Sequence, residues 1–147
     1  MTVAEAEKAA GKRLVVSDFE QNGQCYFAHP EGMEEDVLLI LLAPRDVPVT
    51  DPMDGIIGRA TIEKDVTTSP STTADGVELG ASADEVRTAY AEHSISESKH
   101  HYIEGVYLDV TAPEGDLLLR FELGEDGRVY AIHGGLPRAV TLVEGCS

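Results

Sequence analysis

The chain has 147 residues, no tryptophan and only three phenylalanines, so its core must rest on leucine, valine, isoleucine and alanine. Its formal net charge is −16, and the acidity is shared: residues 1–75 hold 14 acidic and 6 basic side chains, and residues 76–147 hold 13 and 5. This charge argues against nucleic acid, whose phosphates require lysine and arginine, and against electrostatic docking to anionic membranes. It permits a basic protein partner, although solubility or a salt-rich or high-G+C host explains the same acidity.

Two segments carry the same helix-start pattern. In MTVAEAEKAAG, Thr2-x-x-Glu5 matches a capping box, in which the hydroxyl accepts from a helical amide and the acid reaches back to the cap amide. In ELGASADEVRTAYAE, Ser82-x-x-Glu85 matches it again, and apolar residues at helical spacing follow each box. The sequence therefore predicts two helices, near residues 2–11 and 82–92.

The similarity continues downstream of the two helix starts. PEGMEEDVLLILLA (30–43) parallels PEGDLLLRFELG (113–124), since each has a Pro-Glu-Gly turn followed by an apolar run of strand length. DGIIGRATIE (54–63) parallels DGRVYAIHGG (126–135), and Asp-Gly favours the positive dihedrals of tight hairpin turns. We favour duplication over coincidence, although a helix followed by a hairpin is common in α+β proteins.

The strands of the second half indicate the kind of sheet. In GVYLDVTA (105–112) and LLLRFEL (117–123), apolar and polar side chains alternate, which is typical of antiparallel sheets with one wetted face. RVYAIH (128–133) and AVTLVEG (139–145) would extend this sheet. The longest apolar run, 37–43, is far too short to span a bilayer.

The predicted fold class is therefore α+β, with two similar halves, each a short helix packed on an antiparallel sheet. The halves are residues 1–65 and 77–147. Residues 66–76 join them as a linker, because this stretch is rich in serine, threonine, proline and glycine and lacks periodicity. The wetted faces of the two sheets are either exposed or meet in one concave surface.

Two cysteines permit one bridge. Cys25 lies in the first half and Cys146 is the penultimate residue, so a bond between them would clasp the halves together. Closing so long a loop contributes about 4–5 kcal/mol in the chain-entropy model. The bond requires an oxidising compartment, and the alternative is two separate buried thiols in a cytosolic protein. We predict that Cys25 and Cys146 form a disulfide.

The helix-start motif and the doubled helix-plus-sheet pattern resemble a known family. Residues 80–86 (GASADEV) fit a Gly-small-Ser-x-x-Glu-Val start, and residues 1–6 (MTVAEA) fit its latter part. This pattern, made twice, resembles the β-lactamase inhibitory proteins, and one copy resembles the small SmpA/OmlA-type outer-membrane lipoproteins. The overall sequence, with CYF early and EGCS at the end, is also similar to actinobacterial secreted or lipoprotein-like proteins.

The resemblance implies a tandem helix-plus-sheet fold and an inhibitor-like role in protein binding. The sequence departs from the inhibitors in two respects, and these weaken the implied binding role more than the implied fold. The inhibitors have a disulfide within each half, whereas this chain allows only one bridge between halves, and their aromatic-rich binding surface is not matched by a chain without tryptophan. Fold alone does not fix function.

Adjacent histidines in ESKHHYIEG raise the question of a metal site. If the segment is extended, His100 and His101 point to opposite faces and do not chelate one ion. If it is helical, Glu97 and His100 meet, but two ligands fall short of the four of a structural zinc site. Glu104 is a further candidate ligand nearby. We nevertheless predict no metal site and interpret the segment as a solvated loop or a pH-sensitive surface.

Two other motifs have ordinary explanations. The HGG at 133–135 resembles part of an esterase oxyanion loop, but the nucleophile elbow that such enzymes need is missing from the sequence. We interpret His133 as the end of a strand before a Gly-Gly turn. DPMDG at 51–55 lacks the ligand spacing of an EF-hand and is interpreted as a turn.

The sequence favours a non-catalytic protein-binding module of the cell envelope or exterior, with no cofactor. The candidate binding residues are the aromatic side chains Tyr26, Phe27, Tyr102, Tyr107 and Tyr130, because tyrosines supply both area and a hydrogen bond at interfaces. The alternative is a small-ligand or metal-ion carrier that uses the concavity between the halves. No catalytic constellation in the sequence supports an enzyme.

We also expect that Met1 is not the natural beginning. In the second copy, DGVELG (75–80) leads into the helix start, and the first copy has no such lead-in. An upstream signal peptide, with or without a lipid anchor, would supply it together with the oxidising compartment that the cysteines require. The expected location is extracellular or the cell envelope.

Overall fold

The computed structural model describes residues 1–17, 23–45, 47–64 and 71–146, which form an α+β fold. The helices are α1 (Val3–Ala10), α2 (Ala83–Ala89), α3 (Pro137–Val140) and a 3-10 helix (Pro52–Asp54). The strands are β1 (Leu14–Ser17), β2 (Cys25–Pro30), β3 (Leu38–Leu42), β4 (Ile56–Glu63), β5 (Ser94–Lys99), β6 (Val106–Thr111), β7 (Leu118–Leu123) and β8 (Val129–Gly135). Among the described residues, none of the helices combines the length and the apolarity needed to cross a bilayer.

All of these strands belong to one antiparallel sheet, in the spatial order β1-β2-β3-β4-β8-β7-β6-β5. The central pair is β4 with β8, which runs from Arg59 opposite Gly135 to Glu63 opposite Ala131. The predicted α+β fold with an antiparallel sheet is confirmed, although one continuous sheet replaces the two sheets expected from the sequence.

The predicted division of the chain stays a prediction. Among the described elements, α1 and four strands are followed by α2 and four strands and then α3, with the 3-10 helix inserted before the fourth strand of the first group. Of the predicted linker 66–76, residues 66–70 lie outside the described part of the chain, which resumes at Ser71.

Both helices begin with the predicted capping box. Thr2 Oγ1 accepts from the Glu5 amide at 3.3 Å, and the Glu5 carboxylate accepts from the Thr2 amide at 2.8 Å. Ser82 and Glu85 repeat this arrangement at 3.2 and 2.7 Å. Each cap residue also forms a bridge to the sheet, Thr2 at the start of β4 and Ser82 just before β8. The caps therefore fix both where each helix begins and how it meets the sheet.

The two longer helices cover one side of the sheet, which we call the helix face. α1 buries Val3 in an apolar cluster that reaches Ala60 of β4, and α2 buries Val86 in a cluster that reaches Ile62 of the same strand. Ala60 and Ile62 are alternate residues of one strand and point to the same side. Both helices therefore lie on the same face.

Residues 136–146, which we call the C-terminal strap, cross the opposite face. α3 begins the strap, and its buried residue Ala139 packs with Ile40 and Leu42 of β3. The predicted strand at 139–145 is therefore wrong. Pro137 favours the first turn of a helix, where its fixed dihedral fits and its missing N–H costs nothing.

The predicted disulfide between Cys25 and Cys146 is confirmed. It joins the first residue of β2 to the end of the C-terminal strap, across a sequence separation of 121 residues. For a loop of this length the chain-entropy model gives a stabilisation of about 5 kcal/mol.

The two Asp-Gly pairs adopt different structures. Gly127 has a φ of +70° in the turn between β7 and β8, as predicted. Gly55 has a φ of −71° at the end of the 3-10 helix, so the tight hairpin turn predicted there is wrong. The Tyr26 hydroxyl donates to the Pro52 carbonyl at 2.7 Å, and a Cβ added to Gly55 would lie 2.0 Å from that hydroxyl. Glycine is required at this position for space and not for a positive φ.

This packing makes a testable prediction about Gly55→Ala. The added methyl group collides with the fully buried Tyr26, so we expect the free energy of unfolding to fall by about 1–3 kcal/mol. Chemical denaturation of G55A, of Tyr26→Phe and of the double variant measures the coupling.

In the Tyr26→Phe background the colliding hydroxyl is gone, so the cost of the alanine should be smaller. An equal cost of Gly55→Ala in both backgrounds would show that the hydroxyl is not the reason for the glycine.

Candidate functional site

The five aromatic residues predicted to bind a partner do not form one surface. Tyr26 is fully buried on the helix face, and Phe27 is half-buried beneath the C-terminal strap. Tyr107 is buried and Tyr130 half-buried on the strap side of the sheet, whereas Tyr102 is 59% exposed. Tyr102 is therefore the member of this set that is best placed to meet a partner.

Tyr26 has a structural role. Burial raises the pKa of its hydroxyl to about 12, and the charges of Asp54 and Asp51 add to the shift. The hydroxyl stays protonated and holds the Pro52 carbonyl.

On the strap side, five polar residues from four segments meet around one carboxylate. We call them the Glu122 cluster; they are Thr61, His100, Glu122, Tyr130 and His133. Glu122 Oε1 lies 2.9 Å from His133 Nε2, and Oε2 lies 3.1 Å from His100 Nε2 and 2.5 Å from the Tyr130 hydroxyl. Thr61 Oγ1 lies 2.8 Å from His133 Nδ1. Both oxygens of the carboxylate are therefore occupied.

The Glu122 carboxylate is held in its ionised form. Burial alone would raise its pKa, but hydrogen bonds from His133 and Tyr130, the charge of His133 and a hydrogen bond from His100 outweigh burial and lower the pKa to about 2. Burial and the adjacent carboxylate raise the pKa of the Tyr130 hydroxyl, which donates its proton to Glu122.

His100 fixes the loop between β5 and β6. Its Nδ1 accepts from the backbone amides of Tyr102 and Ile103 at 3.1 and 3.3 Å. The proton therefore sits on Nε2, which points to Glu122 and to the Tyr130 hydroxyl. One buried imidazole thus orients two amides of the loop and ties them to the sheet.

The predicted solvated loop holds for His101 but not for His100. His101 is exposed, which confirms a solvated loop for that residue. His100 is only 6% exposed, so the prediction of a solvated side chain is wrong for this residue. The loop folds back onto the sheet, and the His100 ring packs on the Tyr107 ring with centroids 4.5 Å apart. The His101 amide donates to the Tyr107 hydroxyl at 3.3 Å, which fastens the loop at a second point.

His133 also departs from its prediction. It does not end a strand, because β8 continues through Gly134 and Gly135. A Cβ added to Gly135 would lie 2.1 Å from the Gly58 carbonyl oxygen, so the glycine allows the backbones of β8 and β4 to approach.

An ion pair extends the polar surface beside the Glu122 cluster. Arg120 is bidentate to Asp109, with N–O distances of 2.7 and 2.8 Å. Its guanidinium also lies 4.4 Å from the centre of the Tyr107 ring, within cation–π range. These residues support Tyr107, on which His100 packs.

The contacts of the cluster tie the loop between β5 and β6 to the sheet. The larger described cavity, about 640 Å³, lies beside α2 and the segment before it, and the smaller one, about 200 Å³, lies beside Cys25. Neither is lined by Glu122 or its partners. Each carboxylate oxygen faces the Nε2 of a different histidine, and within the described residues no three His, Cys, Asp or Glu side chains are grouped so as to hold a metal ion.

The loop between β5 and β6 meets the C-terminal strap at the surface. The Tyr102 hydroxyl donates to Glu144 Oε1 at 2.5 Å, and this hydrogen bond raises the pKa of Tyr102. Ile103 is 37% exposed and Val143 44% exposed on either side of this contact. We call these four residues the loop–strap ridge: Tyr102, Ile103, Val143 and Glu144.

Sequence reasoning found part of this site. It identified Tyr102 and Tyr130, and the alternation of LLLRFEL placed Arg120 and Glu122 on the face opposite Phe121. It missed the partial burial of Glu122, which depends on His100 of a loop and on two side chains of β8.

No family model, curated protein or solved structure matches this chain.

The Glu122 cluster makes a prediction about pH dependence. The pKa of Glu122 lies below the ordinary value of 4.5, so ionisation contributes stability that is complete above about pH 5 and is lost as the pH falls through 2. We expect the free energy of unfolding of the wild type to be about 3 kcal/mol larger than that of Glu122→Gln near neutral pH. This difference should shrink as the pH is lowered.

Urea denaturation at a series of pH values measures this difference. Glu125→Gln, at an exposed position in the turn after β7, is the matched control for loss of one negative charge. A gap between wild type and E122Q that stays constant from neutral to acid pH would contradict the role assigned to the carboxylate.

Proposed function

We propose that this protein is a non-catalytic extracellular or cell-envelope module that binds another protein through the loop–strap ridge. The observation that carries the proposal is an exposed tyrosine that bonds Glu144 of the strap, with an exposed aliphatic residue adjacent in sequence to each partner: Ile103 and Val143. Tyrosine is enriched at binding hot spots because it combines area with a hydrogen bond.

The rigidity of the ridge favours binding. His100 holds the amides of Tyr102 and Ile103, and the disulfide holds the end of the strap next to Glu144. A surface that is already ordered loses less side-chain and loop entropy when a partner docks.

The element order supports a tandem duplication with units at residues 1–65 and 77–147. Each unit has a capping box, a bridge from the cap residue to its fourth strand or the residue just before it, and four strands in the same sequence. A tandem duplication is also what the resemblance of the two helix starts to the β-lactamase inhibitory proteins implies, and we propose with it an inhibitor-like role in which no reaction is catalysed. The resemblance concerns the fold, and the ridge is the basis for the binding proposal.

The partner and the compartment follow from charge and chemistry. A net charge of −16 repels acidic partners and attracts basic ones, and the ridge itself carries one acidic side chain, Glu144. A disulfide that persists supports an oxidising compartment outside the cytosol. We therefore propose a basic protein partner outside the cytoplasm.

The test compares ridge variants with a matched control. Tyr102→Ser with Ile103→Ser removes the exposed apolar surface of the ridge, whereas Leu117→Ser removes a side chain of similar exposure, 60%, in the turn before β7. Immobilised wild type, ridge variant and control are exposed to culture supernatant and envelope extract of the source organism, and captured proteins are identified and titrated.

We expect one partner to be captured by wild type and L117S, with affinity for the ridge variant lower by roughly tenfold or more. Equal capture by all three proteins would refute the ridge as the binding surface. Capture of nothing by wild type would refute the binding function.

A further inference from the structure

The C-terminal strap is attached to the sheet in two different ways along its length. Its first part is tied by hydrogen bonds: the Leu136 amide donates to the Gly58 carbonyl at 2.8 Å, and Arg59 Nη1 donates to the Leu142 carbonyl at 2.7 Å. Arg59 is only 7% exposed, so water competes little for these carbonyls. The first part of the strap is thus anchored without any covalent bond.

The last four residues of the strap, 143–146, are attached to the sheet by a disulfide and by packing. Cys146 is covalently bonded to Cys25, and the backbone of Gly145 packs so closely on Phe27 that an added Cβ would lie 3.1 Å from the ring. The hydrogen bond from Tyr102 to Glu144 lies at the surface, where water competes for both groups.

An apolar surface lies beneath the end of the strap. Ile40 is fully buried and packs with Phe27 and both cysteines in a cluster separate from those under α1 and α2. Lifting residues 143–146 would uncover Phe27 and Ile40, whereas the helix face would remain covered.

The disulfide borders a cavity. A space of about 200 Å³ is lined by Cys25, Leu42 and Arg138, among others. One of the two bonded cysteines therefore lines a space at the protein surface.

We propose that the disulfide is the clasp of a redox-sensitive strap, whose reduction releases residues 143–146 while α3 stays in place. An external dithiol supplies the electrons. One of its thiolates attacks a sulfur of the Cys25–Cys146 bond, the other cysteine leaves as a thiolate, and a mixed disulfide forms.

The second thiol of the reductant then closes on that mixed disulfide and displaces the remaining cysteine. The two cysteines gain two electrons and two protons, and the dithiol becomes a cyclic disulfide. Release of the strap end breaks the ridge between Tyr102 and Glu144 and exposes Phe27 and Ile40. This inference does not rest on the proposed binding function.

Amide hydrogen exchange, followed by NMR on the whole chain with and without dithiothreitol, tests the proposal. In the reduced protein we expect residues 143–146 to exchange at close to the rate of unstructured amides. The amides of Val140 and of β7 should remain protected, although less strongly than in the oxidised protein, because loss of the bond also lowers the free energy of global unfolding. A dye that becomes fluorescent on apolar surface should bind the reduced form more strongly.

The double variant Cys25→Ser with Cys146→Ser should reproduce the reduced pattern without reductant. Unchanged exchange at residues 143–146 after reduction would overturn the proposal, because the bond would then not be the clasp. Loss of protection throughout the sheet would overturn it as well, because the bond would then hold the whole fold and not the strap.

Discussion

The pairing of β4 with β8 is the constraint on which the rest of the structure depends. By joining two groups of four strands it makes one sheet with two continuous faces. α1 and α2 cover only the helix face, so the strands that pair at the centre also expose a second face that must be covered. The chain meets this need with the C-terminal strap and with the loop between β5 and β6, and these two segments form the candidate site.

The strap and the loop between β5 and β6 cover the second face of the sheet with different chemistry. Beneath the strap, Ile40 and Leu42 meet Ala139, and apolar contacts of this kind tolerate small shifts. Beneath the loop, Glu122 carries a partly buried charge, which is favourable when its hydrogen bonds are all made. The loop is therefore positioned by hydrogen bonds to one carboxylate, whereas the strap is positioned by hydrogen bonds to its backbone and by the disulfide.

The sequence predicted what local signals control and missed what depends on distant segments. Both capping boxes and the antiparallel sheet followed from short patterns, because spacing along the chain decides them. The burial of His100 did not follow, because it requires Tyr107 and Tyr130 from other strands to lie beneath the loop. The structure at Gly55 was missed for the same reason, since its space is taken by a side chain 29 residues away.

The same distinction bears on the proposed binding surface. Tyr102 is exposed, yet its backbone amide is fixed by the buried His100, which is itself fixed by the half-buried carboxylate of Glu122. Each link is a hydrogen bond in a shielded place, where it is stronger than at the surface. An exposed side chain on an ordered backbone is already close to the geometry that a partner requires, so most of the ordering entropy is spent in folding and little remains to be lost in binding.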